Sequence, residues 1–275
     1  MSDEEFLPII FRNVDELRFR LIRILEVFGF FFIFFLIFEI RYYTLFGYTF
    51  PFLAFNVYHN IPAQLLKMLE AHILPKGTTL LVLKPTDGVS ANVYTALFLA
   101  LIFSMPNIVY QSGKFIGPAL KKSEKALIRT VTVPASALFA AGAFMGLWFV
   151  APELFIIFHN FNVGLGADSS MGIMSFVSFL LLYVVSFGLA FEIPVFMYGL
   201  TRSGMVQSDT WFKHWRYAVV GSLIFGMIFS PGVLGFTMMV MALPMIALYF
   251  AGAYFSRRYE RKYGTTDSNT VSEPL

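Results

Sequence analysis

The sequence predicts an all-α integral membrane protein with six transmembrane helices and both termini on the cytoplasmic side, and three observations carry that reading. First, 57% of the 275 residues are hydrophobic and only 13% charged, a balance outside that of soluble globular domains. Second, apolar runs of membrane-crossing character recur at about 21–40, 88–111, 130–158, 174–200, 214–230 and 234–255. Third, with those crossings every Lys and Arg except Arg41, Lys67, Lys76 and Lys84 falls on one side, as short basic loops do at the cytoplasmic face. The 34 Phe are then lipid-facing surface rather than an oversized core. There is no Cys, which excludes disulfides, thiolate metal sites and cysteine nucleophiles.

Taken in order, residues 8–20 form an amphipathic lead-in, N-capped by Asn13, with Ile9, Ile10, Val14 and Leu17 on the apolar side. The acidic start Met1-Ser-Asp-Glu-Glu lacks the basic region of a cleaved signal, so the first apolar run is retained as an anchor. Arg23 and Glu26 lie in its first turns, where snorkelling tolerates them. The run Tyr43–Tyr58 is apolar, but a crossing there would move the basic segment Lys114–Arg129 to the outer side. It is also short and broken by Pro51, and reads as an outer-surface or re-entrant element. An amphipathic helix follows near Ala63–Leu74, with Leu65, Leu66, Leu69 and Ile73 on one face. Residues 41–88 together form an outer-face cap. The fifth span has an uninterrupted apolar run only from Ala218 to Phe229, about 18 Å against a hydrocarbon core of about 30 Å. Gly142-Ala-Phe-Met-Gly146 in the third span has small residues four apart, which favours close helix packing. Residues 1–262 thus make a single transmembrane domain, and 263–275 a disordered polar tail.

No nucleotide-binding glycine loop, zinc-protease helix or metal-ligand spacing of the four His occurs. Neither enzymatic activity, nor a cofactor, nor a nucleic-acid partner is called for. The residue that stands out is Glu192, the one acid in the apolar run from about Met174 to Leu200. A carboxylate held in hydrocarbon costs about 2.5–3.5 kcal/mol on insertion scales, so it faces a partner, a wet groove or a proton. Pro194, two residues on, removes a backbone donor and strains the helix there. A proton-coupled secondary transporter using Glu192 as its coupling site is one class that suits this pattern, and a docking point in a membrane assembly is another. On the inner side, Asp15 and Glu16 stand among Arg12, Arg18 and Arg20, and Glu124 among Lys121, Lys122 and Lys125. Both Arg12–Glu16 and Glu16–Arg20 have the spacing of ordinary helix ion pairs.

An ordered set of segments resembles the TatC family, the multispanning core subunit of the twin-arginine protein translocase. Asn13-Val-Asp-Glu-Leu-Arg-Phe-Arg-Leu21 is similar to that family's H-x-x-E-L-R-x-R-L start. Met105-Pro-Asn-Ile-Val-Tyr-Gln111 and Phe115-Ile-Gly-Pro-Ala-Leu-Lys-Lys-Ser-Glu-Lys125 are similar to its first inner loop. Phe187-Gly-Leu-Ala-Phe-Glu-Ile-Pro194 matches F-G-x-x-F-E-x-P, and Arg216-Tyr-Ala-Val-Val-Gly221 resembles a weaker motif. The resemblance implies a glove-like concave bundle with short fifth and sixth helices, in the cytoplasmic membrane of a prokaryote. It implies that Glu16 and Glu124 recognise the arginine pair of signal peptides on folded cargo, with Leu17 and Arg18 completing the signal-peptide site. Glu192 and Pro194 would form an intramembrane polar site, with TatA- and TatB-type single-span subunits as partners in an oligomeric complex within the bilayer. The chain departs from the pattern at Asn13, Gly113 and Ser123, and at Ser230–Thr237, where the family's acid and Gln after the fifth helix are missing.

Overall fold

In the computed structural model, residues 3–45, 48–116, 125–167, 170–229 and 235–263 are described; Glu124, most of the outer loop after the fifth span and nearly all of the polar tail lie outside them. The order is α1 (Asp3–Ile37), β1 (Phe38–Leu45), β2 (Tyr48–Phe55), α2 (Ile61–Ile73), β3 (Thr79–Leu81), α3 (Asp87–Ile116) and α4 (Lys125–Met145). A turn of π-helix at Gly146–Val150 leads into α5 (Ala151–Gly164), then β4 (Ser170–Gly172), α6 (Ile173–Phe191), α7 (Ile193–Arg202), α8 (Ser208–Lys213), α9 (Trp215–Phe229) and α10 (Gly235–Tyr263). Helix dominates, as expected. Four helical stretches are long and apolar enough to cross a membrane: Asp87–Lys114, Val131–Gly164, Ile173–Arg202 and Met238–Tyr263. The shorter α9 and the apolar part of α1 occupy the other two expected positions.

Three local expectations change. Asn13 is not an N-cap, because helix runs unbroken from Asp3, past Pro8 and through Asn13, to Ile37; a side chain of this kind caps only where a helix begins. The segment from Tyr43 is a β-hairpin, with β1 and β2 antiparallel from Phe38↔Phe55 to Leu45↔Tyr48. Aromatic and β-branched residues fit a pleated ribbon as well as an interface, so its apolar composition left the backbone unspecified. The sixth span is not short as a helix: α10 has 29 residues, because it continues past its apolar run into Arg257–Lys262. Pro134 and Pro244 sit inside helices without ending them.

The chain forms two compact units, residues 1–136 with 155–181, and 137–154 with 182–275. In the first, α1 packs along α3, with Phe31 and Phe35 meeting the Phe103 ring at 5.7 and 5.1 Å between centroids. Asn107 on α3 donates to the Arg23 carbonyl on α1 at 3.1 Å. Asn60 is the hub. Its Oδ1 accepts from Ala63 N and caps α2, while its amide donates to the Leu36 carbonyl and exchanges hydrogen bonds with the Asn92 amide at 3.0–3.1 Å. The ends of α1, α2 and α3 are thereby tied at one buried point. The two short strands β3 and β4 pair in parallel, and beside them Thr78 and His159 share a hydrogen bond of 3.2 Å.

In the second unit, α10 packs against α7, α8 and α9. The glycines of the third span meet α6 directly: a methyl at Gly142 would lie 2.5 Å from the Phe187 carbonyl oxygen and 2.9 Å from Phe191 Cβ. The spaced-glycine pattern therefore serves internal packing. Gly142→Val should cost on the order of 1–3 kcal/mol or more in stability, because the backbones must part to admit it. Gly29→Ala, with nothing within 4 Å, should be neutral or gain about 0.5–1 kcal/mol. Thermal unfolding of both variants in detergent checks the contrast.

Candidate functional site

Glu192 occupies the break between α6 and α7. Pro194 offers no N–H to the carbonyl four residues back, and the chain answers with one tighter turn: Glu192 N donates to Leu189 O at 3.1 Å, and helix resumes with Phe196 N on Glu192 O at 2.9 Å. Glu192 takes the cap position of α7, yet its side chain caps nothing. Its Oε1 is buried and has no hydrogen-bond partner among the described residues.

The position of this acid is fixed from both sides. One turn earlier, Phe187 and Phe191 lie on Gly142. Immediately afterwards, buried Pro194 and Met197 lie on α10, where a methyl at Gly252 would stand 2.8 Å from both Pro194 Cα and Met197 Sδ. The backbone that carries this carboxylate is thus held on both sides of the break by backbone contacts. Farther back on α6, Tyr183, fully buried, donates its hydroxyl to the carbonyl of Phe229, the last residue of α9, at 3.2 Å. That bond serves one of the four carbonyls a helix end leaves open. Tyr183 was not singled out from the sequence, although a hydroxyl in an otherwise apolar run was the available signal. Helix α9 has 15 residues, about 22 Å of rise, and exposes Tyr217, Val220, Ile224, Met227 and Ile228.

At the opposite end of the chain, Glu16, Leu17 and Arg18 lie on α1. Glu16 is half-buried and accepts from Arg20 Nε at 3.1 Å, with a second guanidinium nitrogen also bonded to the same oxygen. The ordinary helix ion pair thus forms. Leu17 and Arg18 are exposed beside it, and Arg23 stacks over the Phe19 ring at 4.9 Å. With Glu124 outside the described residues, the inner-face acids are represented by Glu16 and its exposed neighbour Asp15. Among the described residues no group of three or more His, Asp or Glu is placed to hold a metal ion.

Long apolar helices, glycine-mediated contacts and a proline-broken span carrying one acid define a polytopic helical membrane protein. The family model described as Sec-independent protein translocase protein (TatC) matches residues 13–244, and the chain belongs to that family. It is 35% identical over 251 residues to a Sec-independent protein translocase protein TatC of Cenarchaeum symbiosum (strain A), covering 91% of this chain and 95% of the relative. It is 32% identical over 209 residues to the TatC protein of Escherichia coli (strain K12), covering 76% and 78%. A crystal structure of a twin arginine translocase receptor, TatC, superposes with a TM-score of 0.66 at 26% identity, over 90% of this chain and 98% of that one. The protein is therefore a membrane-embedded component of a protein-transport system.

Replacing Tyr183 with Phe should leave the fold intact and cost about 0.5–1.5 kcal/mol, the net worth of one hydrogen bond. Amide exchange should quicken in the last turn of α9 and nowhere else; uniform protection there would mean that the Tyr183 bond does not hold the helix end.

Proposed function

We propose that this chain is the signal-peptide receptor and core subunit of a twin-arginine translocase, which moves folded proteins across the cytoplasmic membrane of a prokaryote. Its family membership supports this, as does its likeness to a solved relative that is itself named a receptor. The single observation that carries the reading is the family match over residues 13–244, and the place it points to in this chain is the end of α1. There a carboxylate, Glu16, is held by a guanidinium of its own helix, Arg20, with exposed Leu17 and Arg18 beside it.

An incoming arginine exchanges with Arg20. The carboxylate trades one planar, two-pronged partner for another, which a lysine ammonium cannot match in shape. Glu124 takes the second guanidinium of the pair, and Leu17 gives the peptide an apolar contact. Arg18 and the neighbouring lysines repel a basic peptide except where these two acids reverse the local potential, so recognition is confined to them. No bond of the peptide is made or broken, and the subunit acts by binding. Glu192 then offers its carboxyl, as a charged acceptor or a proton donor, to a polar group of a TatA- or TatB-type single-span subunit, in a hydrogen bond strengthened by the apolar surroundings. Beside it, the short α9 thins the bilayer by drawing its surfaces together. The translocase family leaves the proton-coupled transporter reading without support of its own.

Glu16→Ala and Glu124→Ala should each weaken binding of a twin-arginine peptide roughly ten- to a hundred-fold and shrink its advantage over the twin-lysine version. Photo-cross-linking of the two peptides to membranes with equal subunit levels measures this. If both variants discriminate as the parent does, the receptor site lies elsewhere.

Glu192→Gln should insert and assemble at parental levels yet lose export or recruitment of the single-span subunits, because the amide cannot supply a charged or proton-donating carboxyl. Export of a folded reporter, read together with co-purification of the partners, decides the point. Unaltered export would remove Glu192 from the mechanism.

A further inference from the structure

The hairpin β1–β2 is not absorbed by the translocase reading. Strand β1 begins at Phe38, directly after Ile37, with no loop between the spanning helix and the ribbon. Its base is fastened: Asn56 N donates to the Ile37 carbonyl at 3.0 Å, Asn56 Nδ2 to Glu39 Oε2 at 2.9 Å, and the Gln64 side chain bonds both N and O of Ile40. The ribbon therefore leaves α1 at a fixed angle, at the level where the apolar helix ends.

Cross-strand partners share a face. Phe38 with Phe55, Ile40 with Leu53 and Tyr42 with Pro51 line one side; Arg41 with Phe52 and Tyr43 with Phe50 line the other. The ribbon's two charges, Glu39 and Arg41, neutralise each other at 2.8 Å. What remains, apart from the Thr44–Thr49 pair, is apolar or tyrosyl, and much of it is open: Tyr48 is 72%, Phe52 61% and Phe55 74% exposed. This surface continues the lipid-facing side of α1, where Phe30 and Ile33 are exposed. The rings of Phe30, Phe34 and Phe38 follow one another at 6.3 and 4.9 Å between centroids and run from the span onto the first residue of the ribbon.

We propose that this hairpin is an interfacial lipid anchor, lying in the headgroup and upper acyl region of the leaflet at the C-terminal end of α1. Aromatic side chains concentrate at that level in membrane proteins because a ring sits in the apolar zone while a phenolic hydroxyl reaches the headgroups. Zero net charge and apolar residues on both faces suit immersion and do not suit a ribbon standing in water. The open edges are satisfied there by headgroup oxygens and interfacial water, which the hydrocarbon interior lacks. The anchor sets the depth of α1 from one end, independently of what binds at the other.

The test uses the absence of native cysteine. Single cysteines replacing Tyr48, Phe50 or Phe52, each carrying a nitroxide, are placed in the full chain in phosphatidylcholine–phosphatidylglycerol vesicles. Collisions with oxygen and with a water-soluble nickel chelate are compared with those at Ile33→Cys, in the span, and at exposed Lys76→Cys. The oxygen preference at the hairpin should be several-fold above that at Lys76 and below that at Ile33. A value equal to that at Lys76 places the ribbon in water and overturns the proposal. Low collision with both reagents, with spin–spin broadening that grows with protein density, means that a second copy covers it and overturns it equally. The unlabelled parent provides a check free of substitutions: photoactivatable lipids with the reactive group near the headgroup should label residues 42–55, and labelling confined to the helices would refute the anchor.

Discussion

Two helix-to-helix approaches too close for any side chain, Gly142 on the Phe187 carbonyl and Gly252 on Pro194, determine where the intramembrane acid stands. Between them α6 gives way to α7, and Glu192 is the residue at the joint. Neither contact is strong as a single interaction. Their importance is geometric, since dispersion and packing are what associate helices in lipid, where no difference in hydrophobicity drives one apolar helix onto another. With backbones in contact on both sides of the break, the backbone at Glu192 is held in place even though the helix is interrupted there.

Polar groups elsewhere in apolar surroundings mostly find partners. Asn60 and Asn92 exchange hydrogen bonds at the meeting point of α1, α2 and α3. Tyr183 serves a helix-end carbonyl, and Thr95, Ser136 and Ser222 bond carbonyls of their own helices. The Ser256 hydroxyl is buried and open as well, but it is neutral and carries a far smaller desolvation cost than a carboxylate. Where water is scarce, an unmatched polar atom costs more than at a soluble surface. Against that background the open Oε1 of Glu192 stands apart as a buried carboxylate oxygen with no hydrogen-bond partner among the described residues.

Much of this was legible in the sequence. Helix α2 followed from its amphipathic spacing, and the cap residue Asn60 with proline in the first turn agrees with it. The shortness of α9 followed from the length of its apolar run, and the break in the fourth span from Pro194. The acid was visible because nothing near it in sequence could neutralise it. The hairpin was not legible, because residues 38–58 have the composition of a membrane interface whatever their backbone does, and a paired ribbon differs from a re-entrant loop only in cross-strand contacts that no local pattern encodes. The Tyr183 bond was hidden for the same reason: its acceptor is a backbone carbonyl 46 residues away. Glu16 was legible as a helix ion pair, which it is, and only family resemblance distinguishes it from any other such pair.

The π-turn at Gly146–Val150 resolves a conflict of phase. Ala135, Phe139, Ala143, Leu147, Ala151 and Phe155 are all buried, a repeat of four residues, whereas an α-helix would rotate such a stripe by about 40° at each step. One wider turn rewinds part of that drift, and the inward stripe persists along the whole span. The same turn makes the span a counted object: losing one residue within it would turn everything after it by about 100°, bringing buried Leu154 to the exposed place of Glu153 and sending Glu153 round the helix. The third span therefore carries an angular setting as well as a length, and the sequence between Gly146 and Val150 can change in kind more readily than in number.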